Sequence, residues 1–283
     1  MDDITEFKWT GERLTTAKDT EVAIHHLHRY AIALDYIENK KVLDIASGEG
    51  YGSSLLSSKA AFVYGVDIDE EVVNFSSKKY KSDNIKFLVG SASQIPIESQ
   101  SVDVVVSFET IEHHDKHKEM FIEMKRVLKP DGILIMSSPD KLNYSDVPKF
   151  NNPFHVKELY REEFKALISL HFNHVEMYYQ SMLYGSLIVP ENGHGNLFSE
   201  YTGGFDSIKK NKSIETPVYN LCIASDQIIQ NQQKSDFSFF NAQQLLETLI
   251  NKETEIYNSK TYKVGKWILY PFKKIKSVIN NVF

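Results

Sequence analysis

The sequence predicts an α/β fold in which a doubly wound, Rossmann-like parallel sheet carries helices on both faces. Short apolar segments alternate along the chain with segments of helical periodicity, the order expected for β-α-β units. Several apolar segments are nearly continuous, as in residues 102–106, and such strands are typically buried on both faces. A glycine-dense turn follows the first apolar segment and joins it to a helix-forming segment.

The individual elements follow from these patterns. Seven strands are predicted, at Val42–Ala46, Phe62–Val66, Ile85–Leu88, Val102–Ser107, Ile133–Ser137, His174–Tyr179 and Val218–Ala224. Helices are predicted at residues 20–38, 51–59, 69–81, 115–128 and 160–171, with a further one at about 243–258. Asp115 is the predicted N-cap of the fourth helix.

Three regions are predicted around this alternation. Residues 1–38 form an N-terminal helical lid, residues 39–226 form the central domain, and residues 236–283 form a helical C-terminal tail. The central domain contains an insertion at 181–216, which is rich in glycine and has no clear periodicity. Loops of that length are usually functional or disordered.

Composition and cysteine usage predict a soluble globular protein of the cytoplasm. Of the 283 residues, 42% are hydrophobic and 25% charged, which are ordinary values. The acidic, polar N-terminus predicts no secretory signal, and no apolar run approaches the roughly 18 residues of a spanning helix. The single cysteine, Cys222, excludes an internal disulfide framework and fits a reducing compartment.

The net charge of −6 is unevenly distributed. Residues 259–283 contain six lysines and no acid, so the remainder of the chain is more acidic than the whole. Because nucleic acid requires a basic face, it is not expected as a substrate. Trp267, Tyr270 and Phe272 lie among the lysines of the tail. A basic and aromatic segment of this kind suits contact with the anionic inner face of the membrane.

The glycine turn indicates binding of an adenosine-containing cofactor. Gly48 and Gly50 let a ligand approach the backbone, and Asp67, at the end of the second apolar run, can accept hydrogen bonds from both ribose hydroxyls. A dinucleotide site would have a third glycine where Ser53 stands, and Asp44 would repel a pyrophosphate. A carboxylate suits a ligand with a cationic amine and a sulfonium, which favours S-adenosylmethionine over NAD.

Five motifs in order resemble those of class I S-adenosylmethionine-dependent methyltransferases, within residues 41–139. They are residues 42–52, 65–69, 87–96, 102–113 and 126–132. The resemblance implies a seven-stranded sheet, Asp67 at the ribose and Ile68 beside the adenine. Ser91 stands where the family often has an acid that binds the adenine amino group. The full set implied at the cofactor is Asp44, Ala46, Gly48, Gly50, Asp67, Ile68, Ser91, Ala92 and Phe108, with Arg29 and Tyr30 from the lid.

Acid–base groups are concentrated after the fourth and fifth predicted strands. In a doubly wound sheet the reacting groups lie beyond the carboxyl ends of the strands. His113 is the candidate general base, and Glu109 is a candidate to hold the cofactor or the acceptor hydroxyl. The alternative is that His113 only shapes the cofactor pocket.

The second group of candidates lies in residues 151–160, where polar and aromatic side chains surround His155. This stretch resembles segments of bacterial methyltransferases that modify sugars. The alternative is a capped helix start with a solvated histidine. No metal site is predicted: His25, His26 and His28 are expected to be structural, because no cysteine or acid lies at liganding distance in sequence.

The sequence thus predicts a methyltransferase that O-methylates a sugar of a bacterial surface polysaccharide or of its precursor. An N-methyltransferase of a nucleotide-linked amino sugar and a methyltransferase of a quinone-like small molecule are alternatives. A non-catalytic adenosyl-binding module of a glycan assembly complex is a third. Besides the membrane, the tail could contact a glycosyltransferase or a second subunit in a homodimer.

Overall fold

The computed structural model describes residues 14–16, 21–183, 185–191, 200–203, 208–211, 213–214, 216–229, 236–238, 250–252, 254–265 and 267. The chain divides into two compact units, residues 1–240 and residues 241–283. The first unit contains a large sheet and its helices. In the second unit, the described part of residues 250–267 is helical except at Ser259.

The first unit alternates strands and helices from its N-terminal helix onward. The strands are β1 Lys41–Ile45, β2 Phe62–Asp67, β3 Ile85–Val89, β4 Val102–Ser107, β5 Leu128–Pro139, β6 His174–Leu183, β7 Gly185–Pro190, β8 Glu200–Gly203, β9 Ile208–Asn211, β10 Tyr219–Ser225 and β11 Asp236–Ser238. The helices are α1 Glu21–Ala33, α2 Tyr51–Ser57, α3 Glu70–Lys79, α4 His117–Val127 and α5 Arg161–Ser169. A 3₁₀ turn at Ile111–His113 and a π-helical turn at Leu142–Asp146 follow β4 and β5.

The main sheet has the order β11-β7-β6-β10-β5-β4-β1-β2-β3. Strands β3, β2, β1, β4 and β5 are mutually parallel, and β10 runs antiparallel to both β5 and β6. The seven strands from β6 to β3 are the seven predicted ones. The predicted α/β, doubly wound fold class is therefore confirmed, with β7 and β11 extending the sheet beyond β6.

Helices cover both faces because successive side chains of a strand point to opposite sides. Leu43 and Ile45 of β1 pack in one apolar core with Met120 of α4 and Phe164 of α5. Val42 of the same strand packs in a second core, with side chains of α1 and α2. The strand ends that carry the candidate residues therefore emerge between two packed layers.

Two local predictions are wrong. Strand β6 continues to Leu183 and forms a hairpin with β7, and β8 pairs with β9, so residues 181–216 contain strands where a loop was predicted. These strands are ordered by hydrogen bonding to neighbouring strands, because their own sequences show no clear periodicity. Asp115 is not an N-cap: α4 begins at His117 after Lys116, whose backbone N–H donates to Nδ1 of His114.

None of the helices in the described ranges is long and apolar enough to cross a membrane. Of the predicted tail helix, residues 250–252 and 254–258 are described, and they are helical. Lys266, Tyr270, Phe272 and the lysines from residue 273 onward lie outside the described residues.

Candidate functional site

The turn between β1 and α2 is built on backbone conformations that favour glycine. Gly48 has φ 54° and Gly50 has φ 91°, and Ala46 adopts φ 59°. A Cβ on Gly50 would lie 2.8 Å from the ring of Phe87, so this position has no room for a side chain. A Cβ on Gly48 would meet no atom of the described residues within 4 Å, so the turn borders open space there.

Asp67 ties the end of β2 to this turn. Its carboxylate accepts hydrogen bonds from Gly48 N at 2.9 Å and from Asp69 N at 3.0 Å, and the residue is only 4% exposed. Ile68 follows it and is 72% exposed. A buried acid beside an exposed apolar side chain at the carboxyl ends of β1 and β2 suits a ribose with a flanking base.

Asp44 lies deeper than the sequence predicted. Its carboxyl group is buried and accepts hydrogen bonds from Ser53 Oγ at 2.7 Å and Tyr30 Oη at 3.2 Å. Burial raises the pKa of Asp44 to about 7, although these hydrogen bonds oppose the shift. Asp44 therefore organises the turn and Tyr30 from within, instead of facing an open ligand surface.

The residues around the turn fit a nucleoside cofactor. Ser47 Oγ and Ser107 Oγ are buried at the ends of β1 and β4 and have no hydrogen-bond partner within the described part of the chain. Phe108, which follows β4, packs edge-on against Tyr30 with ring centroids 5.1 Å apart. The open space at Gly48 and these two hydroxyl groups leave both volume and polar partners for a ligand.

Two of the predicted cofactor residues follow β3. Ser91 forms an isolated bridge with Gln94, and its hydroxyl lies 3.3 Å from that of Ser93. Ala92 packs against the apolar core, so its side chain contributes to packing. Both residues lie near the carboxyl edge of the sheet, where the sequence predicted them.

Glu109 is held in a strained backbone conformation after β4. Its φ of 49° is unusual for a residue with a side chain. Ser137 Oγ donates to its carboxylate at 2.7 Å, and Arg29 Nη1 lies 3.2 Å from the same oxygen, Oε1. The sequence did not predict this contact between α1 and the catalytic candidates.

Arg29 is a buried anchor rather than a free lid residue. It is 1% exposed, its Nε donates to Gln180 Oε1 at 2.7 Å, and its guanidinium lies 4.4 Å from the ring centroid of Tyr219. Its Nη2 has no hydrogen-bond partner among the residues described. This nitrogen is available for an anionic group of a ligand.

His113 and His155 meet at the carboxyl ends of β4 and β5. Their ring centroids are 5.1 Å apart, and His113 Nδ1 lies 3.1 Å from the carbonyl oxygen of Phe154. The backbone N–H groups of Val156 and Lys157 donate to the carbonyl oxygen of Glu112, which pins the two segments together. The two histidine candidates of the sequence thus belong to one cluster.

His155 is not the solvated histidine of the alternative interpretation, because its side chain is only 7% exposed. Its Nδ1 lies 2.5 Å from Glu158 Oε1, and Asn152 Nδ2 donates to its Nε2 at 3.0 Å. Its ring also stacks on Tyr144, with centroids 5.4 Å apart. Each of these contacts restricts the ring orientation.

Aromatic rings connect the two groups of candidates. Tyr144, which stacks on His155, lies 6.0 Å from Tyr219, and Tyr219 lies under the guanidinium of Arg29. Tyr144 and Tyr219 thus connect His155 to Arg29, which pairs with Glu109.

The role of Glu49 was not predicted from the sequence, although an acid inside a glycine turn is unusual enough to indicate a structural or functional role. It accepts hydrogen bonds from Thr16 N at 2.6 Å and Thr16 Oγ1 at 2.7 Å, and it pairs with Lys79. Burial alone would raise the pKa of Glu49, but the hydrogen bonds from Lys79 and Thr16 outweigh it and lower the pKa. The N-terminal segment is thereby tied to the cofactor turn.

The histidines of α1, which the sequence predicts to be structural, lie where their charged form is disfavoured. Burial lowers the pKa of His25 to about 3 and that of His28 to about 4, and it also lowers the pKa of His26. All three are therefore neutral at physiological pH. Arg13, whose guanidinium could pair with a carboxylate of the cofactor or of an acidic substrate, lies outside the described residues.

Comparisons with known proteins agree with this geometry. Residues 43–136 match a family described as "Methyltransferase domain". A "Probable S-adenosylmethionine-dependent methyltransferase" of Mycolicibacterium smegmatis is 36% identical over 132 residues, which are 46% of this chain and 50% of the relative. A "Fatty-acid O-methyltransferase" of the same organism is 26% identical over 133 residues, 44% of this chain and 48% of the relative.

The chain thus spans about half the length of these curated relatives. Among solved structures, the YcgJ protein of Bacillus subtilis has a TM-score of 0.53 at 18% identity and covers 72% of this chain and all of its own. That likeness supports the fold. Residues 43–136 of this α/β fold are thus similar to a methyltransferase domain, and the relative with 36% identity is named as a probable S-adenosylmethionine-dependent enzyme.

Proposed function

We propose that this chain transfers a methyl group from S-adenosylmethionine to an acceptor hydroxyl, and that the acceptor is a sugar of a bacterial surface polysaccharide or of its precursor. The observation that carries the proposal is the contact between His113 and His155, whose rings lie 5.1 Å apart beyond the carboxyl ends of β4 and β5, with Glu109 also following β4. This is the edge of the sheet where the glycine turn and Asp67 lie.

Binding of the cofactor is assigned to the residues around the turn. When bound, S-adenosylmethionine supplies a methyl group on a sulfonium sulfur that leaves with the bonding electron pair. Asp67 would accept hydrogen bonds from the ribose, and Ile68 would cover one face of the adenine. Nη2 of Arg29, which has no hydrogen-bond partner within the described ranges, is suited to the amino-acid carboxylate of the cofactor.

The histidine pair would handle the acceptor proton. An alcohol is almost fully protonated at neutral pH, so a base must accept its proton as the methyl group is transferred. Nδ1 of His113 faces the carbonyl oxygen of Phe154 and is therefore the protonated nitrogen. Its Nε2 carries the lone pair and can accept the proton, while Glu109 can orient the hydroxyl.

The rim of the site supports a ring-shaped, partly apolar acceptor. Phe150 is 51% exposed, Phe154 43% and Tyr160 39%, and polar side chains lie between them. Aromatic faces beside hydrogen-bonding groups suit a pyranose. Leu142 and Val147 are 47% and 67% exposed on the same segment, which favours a lipid-linked sugar or a lipid hydroxyl as the second candidate.

The experiment is transfer of a labelled methyl group by the full-length protein to a panel of acceptors: nucleotide sugars, lipid-linked sugars, an amino-sugar nucleotide, a quinol and a fatty acid. We expect an alkali-stable methyl ether on a sugar. A base-labile ester on the fatty acid would indicate a lipid carboxylate as acceptor and would contradict transfer to a hydroxyl. N-methylation would indicate the amino sugar. Cofactor binding without transfer to any acceptor would favour a non-catalytic module.

We also propose that the C-terminal tail holds the enzyme at an anionic membrane surface. Ile256, Val264 and Trp267 of the helical segment are 61%, 55% and 80% exposed, and lysines lie between them. Apolar and aromatic side chains can enter the interface while lysines contact anionic headgroups. A glycosyltransferase or a second subunit remains the other candidate partner of this surface.

Full-length protein is expected to sediment with vesicles containing phosphatidylserine and to be released by salt, because ions screen the attraction. Vesicles of phosphatidylcholine alone are the control. A chain ending at Asn258 should stay in the supernatant and keep its cofactor affinity. Equal sedimentation of both proteins would contradict the membrane role, and loss of a dimer on truncation without lipid binding would favour a subunit contact.

A further inference from the structure

We infer that Glu112, His113 and His155 together bind a divalent metal ion. One ligand atom of each residue lies within 4.8 Å of those of the other two. Glu112 and His113 come from the 3₁₀ turn after β4, and His155 from the segment after β5. The inference deepens the proposed function, since this cluster contains the candidate base, but metal binding can be measured without turnover.

Both histidines are oriented as metal ligands usually are. A ligating imidazole generally gives its other N–H to a carboxylate or a backbone carbonyl, which fixes the tautomer. His155 Nδ1 faces the carboxylate of Glu158 at 2.5 Å, and His113 Nδ1 faces the carbonyl oxygen of Phe154 at 3.1 Å. In each ring, Nε2 is left with the lone pair.

The two ligand segments are fixed to each other before any ion binds. The carbonyl oxygen of Glu112 accepts hydrogen bonds from Val156 N at 2.8 Å and Lys157 N at 3.0 Å, directly after His155. Ser145 Oγ donates to Glu158 Oε1 at 2.8 Å, so the carboxylate behind His155 is itself held. Little reorganisation is therefore needed to bring the three ligands around one ion.

One existing contact would have to change. Asn152 Nδ2 donates to His155 Nε2 at 3.0 Å, and Asn152 Oδ1 accepts from Phe154 N at 3.0 Å. A bound ion would displace the first of these hydrogen bonds, because it needs the same lone pair. We therefore expect Asn152→Ala to bind metal at least as well as the unchanged protein.

The donor set selects the class of metal. Two imidazoles and one carboxylate with open positions suit Fe²⁺, Mn²⁺, Co²⁺ or Zn²⁺ better than Ca²⁺ or Mg²⁺, which prefer oxygen ligands. An acceptor hydroxyl bound at an open position would have a lowered pKa and would lose its proton to water more readily. His113 would then be a ligand instead of the proton acceptor.

Co²⁺ is the probe for the test, because its visible absorption reports ligation directly. We expect the full-length protein to bind one Co²⁺ per chain, and His155→Ala and Glu112→Gln to lose this binding. Glu158→Gln, which keeps all three ligands, should weaken it by about 10- to 100-fold. His174→Ala, an exposed histidine at the start of β6, should bind like the unchanged protein.

Calorimetry with S-adenosylmethionine checks that each variant is folded. Absence of Co²⁺ binding by the unchanged protein, or equal binding by His155→Ala and Glu112→Gln, would overturn the inference. Methyl transfer by a protein that binds no Co²⁺ would overturn the metal site and leave the proposed function standing. Co²⁺ binding without transfer to any acceptor would support the metal site and contradict the proposed function.

Discussion

Replacing His113 by alanine is expected to lower turnover by about 100-fold or more, because a positioned proton acceptor contributes about 10²- to 10⁴-fold. Cofactor affinity should stay close to that of the unchanged protein, because His113 is assigned to the acceptor and not to the residues of the cofactor turn. Turnover is measured with labelled S-adenosylmethionine at saturating acceptor, and affinity by calorimetry. If the residue is a metal ligand, the same loss is expected together with loss of Co²⁺ binding.

The matched control is the adjacent His114→Ala. The ring of His114 accepts a hydrogen bond from Lys116 N in the segment before α4, so its removal should leave turnover within the same order of magnitude. Preserved turnover in His113→Ala would place the base elsewhere, and His155 would be tested next. A collapse of cofactor binding would instead assign His113 to the cofactor pocket.

Replacing Asp67 by alanine is expected to weaken S-adenosylmethionine binding by at least about tenfold, since hydrogen bonds to a charged group contribute roughly 1.5–3 kcal/mol. The carboxylate also accepts from Gly48 N and Asp69 N, so part of the loss reflects a less ordered turn. Asp67→Asn, which keeps the size of the side chain, separates the charge from the shape. Affinity is measured by calorimetry on folded protein.

Asp69→Ala is the control for this prediction. Asp69 lies two residues away, but its carboxylate caps α3 through Glu71 N at 3.0 Å and Val72 N at 3.4 Å. Its removal should lower stability by about 1 kcal/mol and leave cofactor affinity unchanged. Unchanged affinity in Asp67→Ala would contradict the assignment of the ribose site, and a preference for NAD would favour a dinucleotide.

The sheet and the cofactor turn were predictable because their signals are local. Continuous apolar strands such as β4, and glycines that need left-handed backbone conformations, are visible in a few consecutive residues. Asp67 was identifiable for the same reason, since it ends the strand after the turn. The histidine candidates followed from the rule that reacting groups lie beyond the carboxyl ends of parallel strands.

The contacts between distant segments were not predictable. Arg29 pairs with Glu109 and Gln180, which are 80 and 151 residues away in sequence, and no periodic pattern encodes such a meeting. The hydrogen bonds from Thr16 to Glu49 also join distant segments and were not predictable. Strand β7 was not predictable either, because its pairing with β6 orders a segment that has no clear periodicity. The metal cluster also depends on docking of the segment after β5 against the turn after β4.

The left-handed backbone of Glu109 affects which residue at position 109 gives the most stable folded protein. A residue with a Cβ at positive φ costs about 1–2 kcal/mol, and glycine largely avoids that penalty. Glycine would relieve this penalty, but it would also remove the carboxylate that pairs with the buried Arg29, and an uncompensated buried charge costs about 3–5 kcal/mol. The ion pair therefore outweighs the backbone strain, and a library selected only for thermostability should keep the acid at position 109.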